Sequence, residues 1–198
     1  TALRAEVAAL SRRMDRSEAG GAQLLDELNV TPGFEKALGA ALADDLRAPR
    51  LGEDAATGWR GLPAYAKAAA LPEGVESLVG HVDQTDVLAR RLRQVGVVTP
   101  EEGAALQAAL APGQRLVSLA GDLWRWDGFV VAAEDAPSAA ALKLEQANRL
   151  KALQAEEAEA RVRADAARET HEALRAELDA LTEADKAVLS LKTQKRKL

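Results

Sequence analysis

The stretch RLVSLAGDLWRWDGF, residues 115–129, carries two of the three tryptophans of a chain in which only 3% of residues are aromatic. Short apolar runs are separated by the turn-forming sequences AGD and DG, a pattern that predicts strand, turn, strand and then a hairpin turn. Side chains alternate along a strand, so Trp124 and Trp126 are predicted to point to one face and Arg125 to the other. The stretch therefore predicts an antiparallel β element.

Three interpretations of the paired tryptophans are open at this point. Burial against a helix, or across a contact with a second copy, is favoured because each ring can remove about 150–250 Å² from water. A platform that stacks the bases of a single strand would need more basic residues nearby than Arg115 and Arg125. A catalytic acid pair would use Asp122 and Asp127, but aspartates in turns usually bond their own backbone.

The composition of the 198-residue chain favours long helices around this element. Hydrophobic residues make up 47% and charged residues 29%, with much alanine and leucine, which is typical of coiled coils. The net charge of −5 means that nucleic-acid binding would require a local basic patch. Cysteine is absent, which excludes disulfides and thiolate metal sites and fits a reducing compartment. No apolar run approaches the roughly 20 residues of a membrane span, and no signal-peptide pattern opens the chain, which we expect to be part of a longer protein.

Apolar residues recur at coiled-coil spacing at both ends of the sequence. The first stripe consists of Leu3, Val7, Leu10 and Met14. A second stripe runs from Leu150 to Leu198, with one slip of register of the kind that local over- or underwinding produces. We therefore predict coiled-coil arms over residues 1–20 and 137–198. If the arms pair with each other they run antiparallel, because the residues between them return the chain to its starting point.

Residues 21–136 lose this spacing and predict a compact α+β body. The predicted strands are residues 25–30, 95–98 and 115–119; the predicted helices are 32–46, 100–110 and one that starts near Asp83 or Thr85. Thr31 and Thr99 are predicted helix caps, each followed by proline at the first helical position. Residues 47–63 are turn-rich and predict a loop.

Three stretches in this body resemble, in the same order, the hinge domain of the structural-maintenance-of-chromosomes (SMC) family, bacterial condensin type. LLDELNVTPGFEKALGAALADDL (24–46) is similar to the opening strand and helix, and VGVVTPEEGAALQAAL (95–110) to a later strand and helix. Residues 115–129 are similar to the segment that precedes the family's paired glycines, with Val117, Gly121, Asp122 and Gly128 at matching positions. Where those glycines would follow, this chain has Val131, Ala132 and Ala133.

The resemblance implies an α+β body of two similar half-domains, each a small sheet with helices, flanked by antiparallel coiled-coil helices. It also implies a homodimer formed through sheet edges. The residues expected at that contact are Gly121, Asp122, Trp124, Trp126, Gly128 and Phe129.

In the full-length protein, the resemblance implies an ATPase head that engages kleisin and accessory subunits, in a complex that entraps DNA for chromosome condensation and segregation. The expected location is the bacterial cytoplasm, at the nucleoid and away from membranes. This chain has no GxxxxGK[ST] phosphate loop, so we expect no ATP hydrolysis and no cofactor here.

Basic residues on both arms near the body form a candidate DNA contact at the hinge–coil junction. They are Arg12, Arg13, Arg16, Lys143, Arg149 and Lys151. The plainer interpretation is a solvated helix surface with nearby glutamate partners. The resemblance supports the DNA interpretation, in which affinity falls steeply with salt. A further cluster, Arg90, Arg91 and Arg93, is predicted on a helix of the body.

Other kinds of chemistry find little support in the sequence. His81 and His171 lack the spacing of a metal site, and no residue set predicts a catalytic centre. An alternative function is a coiled-coil scaffold whose α+β insert dimerises without any role in nucleic-acid binding. Salt-dependent DNA binding at the junction distinguishes the two.

Overall fold

The computed structural model describes residues 2–17, 23–52, 57–83, 86–136 and 138–195. The chain divides into two compact units, one made essentially of residues 4–151 and the other of residues 152–198. The first unit contains every strand found in the described residues.

Six α-helices and seven short strands form the described chain. The helices are α1 Ala2–Ser17, α2 Leu24–Glu27, α3 Glu35–Leu42, α4 Ala89–Leu92, α5 Pro100–Leu106 and α6 Ser138–Lys195. The strands are β1 Asn29–Val30, β2 Glu76–Ser77, β3 Val82–Asp83, β4 Val95–Val97, β5 Arg115–Val117, β6 Leu123–Arg125 and β7 Val130–Val131. Short 3-10 helices cover Ala43–Arg47, Leu78–His81, Gln107–Ala109 and Ala133–Asp135.

Two sheets build the first unit. The larger has the order β2-β4-β5-β6-β7, in which β4 and β5 are parallel and the other neighbours antiparallel. Helix α5 lies in the connection between β4 and β5, as a parallel pair requires. The smaller sheet is the antiparallel pair β1-β3. The predicted α+β class is confirmed.

The main core lies around α3. Its buried residues come from α2, α3, the strands of both sheets and the first turns of α6. Gly39 in α3 permits a close approach to α6, because a Cβ at that position would lie 3.0 Å from the Cβ of Ala141. A smaller core consists of Val98, Leu110, Leu116 and Trp124, with Val75 and Leu106 packed against it.

Helix α5 has the predicted start. Thr99 is its N-cap, with Pro100 at the first helical position. The Thr99 hydroxyl accepts a hydrogen bond from the Glu102 N–H at 3.3 Å, and the Glu102 carboxylate accepts one from the Thr99 N–H at 2.9 Å. This reciprocal capping box is a local signal that needs no tertiary contact, and the prediction is confirmed.

Three other local predictions are wrong. Residues 25–27, predicted as part of the strand over residues 25–30, lie in α2. The helix predicted to start at Pro32 begins instead at Glu35, because Gly33 takes a φ of 96° and its N–H donates to the Glu35 carboxylate at 2.8 Å. The helix predicted from Asp83 or Thr85 is reduced to α4; Asp83 ends β3, and Thr85 lies outside the described residues.

The unit of residues 152–198 continues α6 as helix to Lys195. From Arg161 onward, every side chain that the structure describes in this unit is exposed. The predicted seam residues Leu174, Leu178 and Leu181 are 59–63% exposed. An apolar stripe of this kind on one helix is typical of a coiled-coil surface.

Candidate dimer and DNA-contact surfaces

Exposed apolar side chains gather at the hairpin that joins β6 to β7. Trp126 is 46% exposed, Phe129 51% and Val130 49%, in a unit whose other large side chains are mostly buried. Strand β7 is one of the two outer strands of the five-stranded sheet, and β2 is the other. The hairpin and β7 therefore place apolar side chains beside a sheet edge; this group of three residues is called the hairpin surface below.

The hairpin surface is held firmly by the body. The Trp126 N–H donates to the Gln114 carbonyl at 3.2 Å, and the Arg125 N–H donates to the Phe129 carbonyl at 2.9 Å. The Gln107 side-chain amide donates to the Arg125 and Phe129 carbonyls at 3.0 and 3.3 Å. The guanidinium of Arg125 lies 5.2 Å from the centre of the Phe129 ring. These bonds fix the backbone that carries the exposed rings.

Trp124 and Trp126, which the sequence predicts on one face, differ in exposure. Trp124 is only 7% exposed and packs in the smaller core against Gly103 of α5. Strand β6 ends at Arg125, and Trp126 lies in the turn that Gly128 closes with a φ of 86°. One ring therefore stabilises the monomer, and the other is exposed beyond the end of the strand.

Gly121 and Asp122, also predicted at the dimer contact, shape the turn before β6. Gly121 is buried with a φ of 109°. The Asp122 carboxylate accepts from the Ser118 hydroxyl and, at 2.8 Å, from the Ala133 N–H. Of the six predicted contact residues, only Trp126, Gly128 and Phe129 are exposed in this chain.

Asp122 and Asp127 bind groups in or near their own turns, as expected for aspartates in turns. Asp122 binds the backbone as described above. The Asp127 carboxylate pairs with Arg125 and accepts from the Phe129 N–H at 3.4 Å. Nothing in these contacts resembles a pair of carboxylates that share a reaction site.

The basic residues predicted to contact DNA have local partners where the structure describes them. Lys143 pairs with Asp26, and their side chains are only 15% and 20% exposed. Arg149 lies 3.1 Å from the Glu6 carboxylate, and Lys151 donates to Asn29.

The predicted DNA-contact residues of the first arm all lie on α1. Arg12 Nε donates to the Ala8 carbonyl at 3.0 Å in that helix. The side chains of Arg13 and Arg16 fall outside the described residues. Arg12 and Arg149 are exposed, as is Lys151, whereas Lys143 is largely withdrawn from the surface.

The third arginine cluster is divided by the structure. Arg90 lies 3.7 Å above the Tyr65 ring, and Arg91 lies 3.4 Å from the Asp45 carboxylate. Arg93 is exposed.

Two features of these surfaces were not predicted from the sequence. Val130 was not assigned to the contact, although the β-branched pair after the DG turn indicated a strand, and no local pattern connects Arg90 to Tyr65.

The remaining candidates are His81, metal-ligand clusters and membrane-spanning helices. The His81 ring stacks on Phe34 with centroids 3.7 Å apart, and its Nε2 lies 3.1 Å from the Glu76 carboxylate. Among the described residues, no group of three or more possible metal ligands occurs. No helix in the described part of the chain is long and apolar enough to cross a membrane.

Two curated proteins are similar to most of this chain. No family profile matches the chain. It is 60% identical over 178 residues to the chromosome partition protein Smc of Cereibacter sphaeroides, and 48% identical over 149 residues to that of Rhodopseudomonas palustris. These matches cover 90% and 75% of this chain but only 16% and 13% of the relatives. A solved structure titled "Folded elbow of cohesin" aligns with 80% of this chain and 27% of its own, with a TM-score of 0.41 and 10% identity, too weak a likeness to support a conclusion. Over nearly its whole length, the chain is thus similar to a segment of the bacterial chromosome partition proteins Smc, and its resemblance to the SMC family is confirmed.

Proposed function

We propose that this chain is the homodimerisation hinge of an SMC protein that acts in chromosome partition. The hairpin surface carries the proposal, because it combines exposed aromatic rings with an outer strand. An outer strand offers unpaired backbone groups to a strand of another chain. The occupant we propose is a second copy, as the hinge resemblance implies.

The rings of the hairpin surface can supply a useful share of the association energy. Trp126 and Phe129 are each about half exposed, which leaves roughly 100 Å² per ring to be buried by a partner. At about 25 cal/mol per Å², each ring then contributes about 2 kcal/mol. Residues 131–133 replace the family's paired glycines, so we propose that these rings compensate for a less close backbone approach.

Sedimentation equilibrium of the whole chain tests this proposal. The chain has a mass of 21.0 kDa, so a dimer has twice that mass. We expect the double variant Trp126→Ala, Phe129→Ala to weaken the dimer by about a thousandfold or more, since about 4 kcal/mol is removed from each of the two copies. The matched control is Leu62→Ala, Tyr65→Ala, which truncates two apolar side chains of equal 52% exposure in a loop of the body.

Pairing through the coil is the competing explanation of a dimer. Leu174→Asp with Leu178→Asp puts charge into the exposed stripe of α6 without touching the hairpin surface. A dimer that survives these changes and is lost with the hairpin changes supports the hinge. A dimer that behaves in the opposite way contradicts it.

We also propose that the hinge–coil junction contacts DNA, through the exposed cations Arg12, Arg149 and Lys151. The double variant Arg149→Glu, Lys151→Glu should lower both the affinity for duplex DNA and the salt dependence of binding, by about one to two units of the log–log slope. Arg161→Glu with Arg163→Glu is the matched control, with the same spacing further along α6. If the two double variants behave alike, this DNA site is refuted and the scaffold alternative gains support.

The remaining roles belong to the whole protein and are inferred from its relatives. We propose that the arms lead to an ATPase head outside this chain, that the head engages kleisin and accessory subunits, and that the complex acts on DNA at the bacterial nucleoid. In this arrangement the present chain needs no cofactor and catalyses no reaction.

A further inference from the structure

A cleft of about 690 Å³ lies in the first unit between the loop of residues 59–69 and the segment of Arg90 and Arg91. This volume is within the range of about 300–1,000 Å³ that small-molecule sites occupy. Its lining residues are Trp59, Arg60, Leu62, Tyr65, Lys67, Ala68, Ala69, Val87, Arg90, Arg91, Gln94, Pro112, Gly113 and Arg115. The hairpin surface and the basic residues of the arms take no part in it.

The charge of this cleft is opposite to that of the chain. Five of its lining residues are basic: Arg60, Lys67, Arg90, Arg91 and Arg115. None of the described residues that line it is acidic, although the whole chain has a net charge of −5. A concave surface that is lined by positive charges concentrates anions from solution.

The walls of the cleft are fixed to the body at both ends of the loop. Trp59 Nε1 donates to the Asp45 carbonyl at 2.7 Å, and the Trp59 N–H donates to the Pro49 carbonyl at 2.8 Å. At the other end, Gln114 Nε2 donates to the carbonyls of Ala69 and Ala70 at 3.1 and 2.9 Å. The concave shape is therefore built by specific hydrogen bonds.

Two guanidinium groups of the cleft have donor capacity left over. Arg91 Nε and Arg115 Nε are buried, and neither has a hydrogen-bond partner among the described residues. Burial, together with the positive charges of Arg91 and Arg125, lowers the pKa of Arg115 to about 10. An anion in the cleft would relieve this repulsion and accept hydrogen bonds that are otherwise unmade.

We propose that this cleft binds a nucleoside phosphate. Guanidinium groups recognise phosphate through parallel charge-assisted hydrogen bonds, and several are present here. Tyr65 is 52% exposed and Trp59 also lines the cleft, so aromatic surface is available to a base. The Gln94 Oε1 accepts from Gln114 Nε2 at 3.4 Å, which leaves its NH2 group as a donor for the polar edge of that base. The same chemistry is presented by a free nucleotide and by a nucleotide of single-stranded DNA.

Calorimetric titration of the whole chain at low salt, without divalent cations, tests the proposal. The probes are ADP, inorganic pyrophosphate and a 5′-phosphorylated oligothymidylate. Arg90→Glu should weaken binding by about tenfold or more, because a charge-assisted hydrogen bond is lost and a repulsion is added. Arg93→Glu makes the same charge change on the same segment outside the lining and should alter binding less than twofold. Lys67→Glu, at an exposed lining residue, repeats the test away from the Arg90–Tyr65 contact.

Each outcome has a definite meaning. Binding of ADP that Arg90→Glu and Lys67→Glu weaken supports a free nucleotide, and binding of the oligonucleotide alone with the same sensitivity supports a strand. Equal effects of Arg90→Glu and Arg93→Glu overturn the proposal, as does the failure of every probe to bind at millimolar concentration. If pyrophosphate binds as tightly as ADP, the cleft recognises phosphate alone, and the nucleoside part of the proposal is refuted. The sedimentation mass of the same samples shows separately whether the proposed hinge function holds, since the cleft requires no second copy.

Discussion

Replacing Gly103 with alanine tests the packing of α5 on the five-stranded sheet. A Cβ at this position would lie 2.4, 2.5 and 2.7 Å from Cε3, Cζ3 and Cδ2 of Trp124. Carbon atoms in contact prefer about 3.5–4.0 Å, so the ring or the helix must move by about 1 Å. The indole is rigid and enclosed by Val98, Leu110 and Leu116, so it cannot simply swing away.

Two opposing effects set the size of the change at Gly103. Overpacking of a core costs about 1–3 kcal/mol, and the rigid ring puts this site near the upper end. Alanine regains up to about 1 kcal/mol of helix propensity relative to glycine. We therefore expect Gly103→Ala to lower the free energy of unfolding by about 2 kcal/mol, or Tm by about 4–8 °C.

Urea denaturation followed by circular dichroism and tryptophan fluorescence measures this loss. Gly80→Ala is the matched control, because a Cβ there meets no atom within 4 Å, and it should change stability by less than about 0.5 kcal/mol. In a Trp124→Phe background, the cost of Gly103→Ala should shrink, since the clashing ring is smaller. A Gly103→Ala protein as stable as the parent would refute the close packing of α5 on Trp124.

Three further predictions concern local interactions in the first unit. Thr99→Ala should cost about 0.5–2 kcal/mol of unfolding free energy in urea denaturation, whereas Thr99→Ser should restore most of it, because the hydroxyl caps the Glu102 N–H. Hydrogen bonds from the backbone and hydroxyl of Thr99 lower the pKa of Glu102. The stability that this carboxylate contributes is therefore present above about pH 4.3 and is lost as the pH falls through its lower folded-state pKa. Glu102→Gln should flatten that part of the stability–pH profile. Asn148→Ala should cost about 1–3 kcal/mol in thermal melts, because Asn148 Nδ2 lies 2.6 Å from the carboxylate of Glu35, which is 6% exposed and would lose a donor. An Asn148→Ala protein with unchanged Tm would contradict that assignment.

The sequence predicts those elements of the fold whose signals are local. The start of α5 follows from Thr99 and Pro100, and the turn after β6 follows from the DG pair, because both depend on neighbouring residues alone. The prediction failed at residues 25–27, which the sequence assigned to a strand over residues 25–30. In the structure the chain forms one helical turn there, and the Leu24 N–H donates to the distant Ala48 carbonyl. Long-range bonds of this kind override local pattern.

In the candidate sites as well, the sequence predicts local features but not those that depend on long-range contacts. The sequence singled out the hairpin, but the separation of buried Trp124 from exposed Trp126 depends on where the strand ends against α5. The arginine cleft could not be predicted, because Arg60, Arg90 and Arg115 are about 25–30 positions apart in sequence and are brought together only by the folded loop. Which basic residues remain exposed also depends on tertiary partners, as the pairing of Lys143 with Asp26 illustrates.

The first turns of α6 have a mechanical consequence for the body. Residues 141–151 are fastened at successive levels by the Gly39–Ala141 contact, the Lys143–Asp26 pair and the bonds of Asn148 and Lys151. These attachments are spread over about 15 Å of helix axis. Tension that arrives along α6 therefore loads them together, in shear, rather than one after another as in peeling. The base of this helix is built to transmit pulling force into α2, α3 and β1 as a single anchored joint.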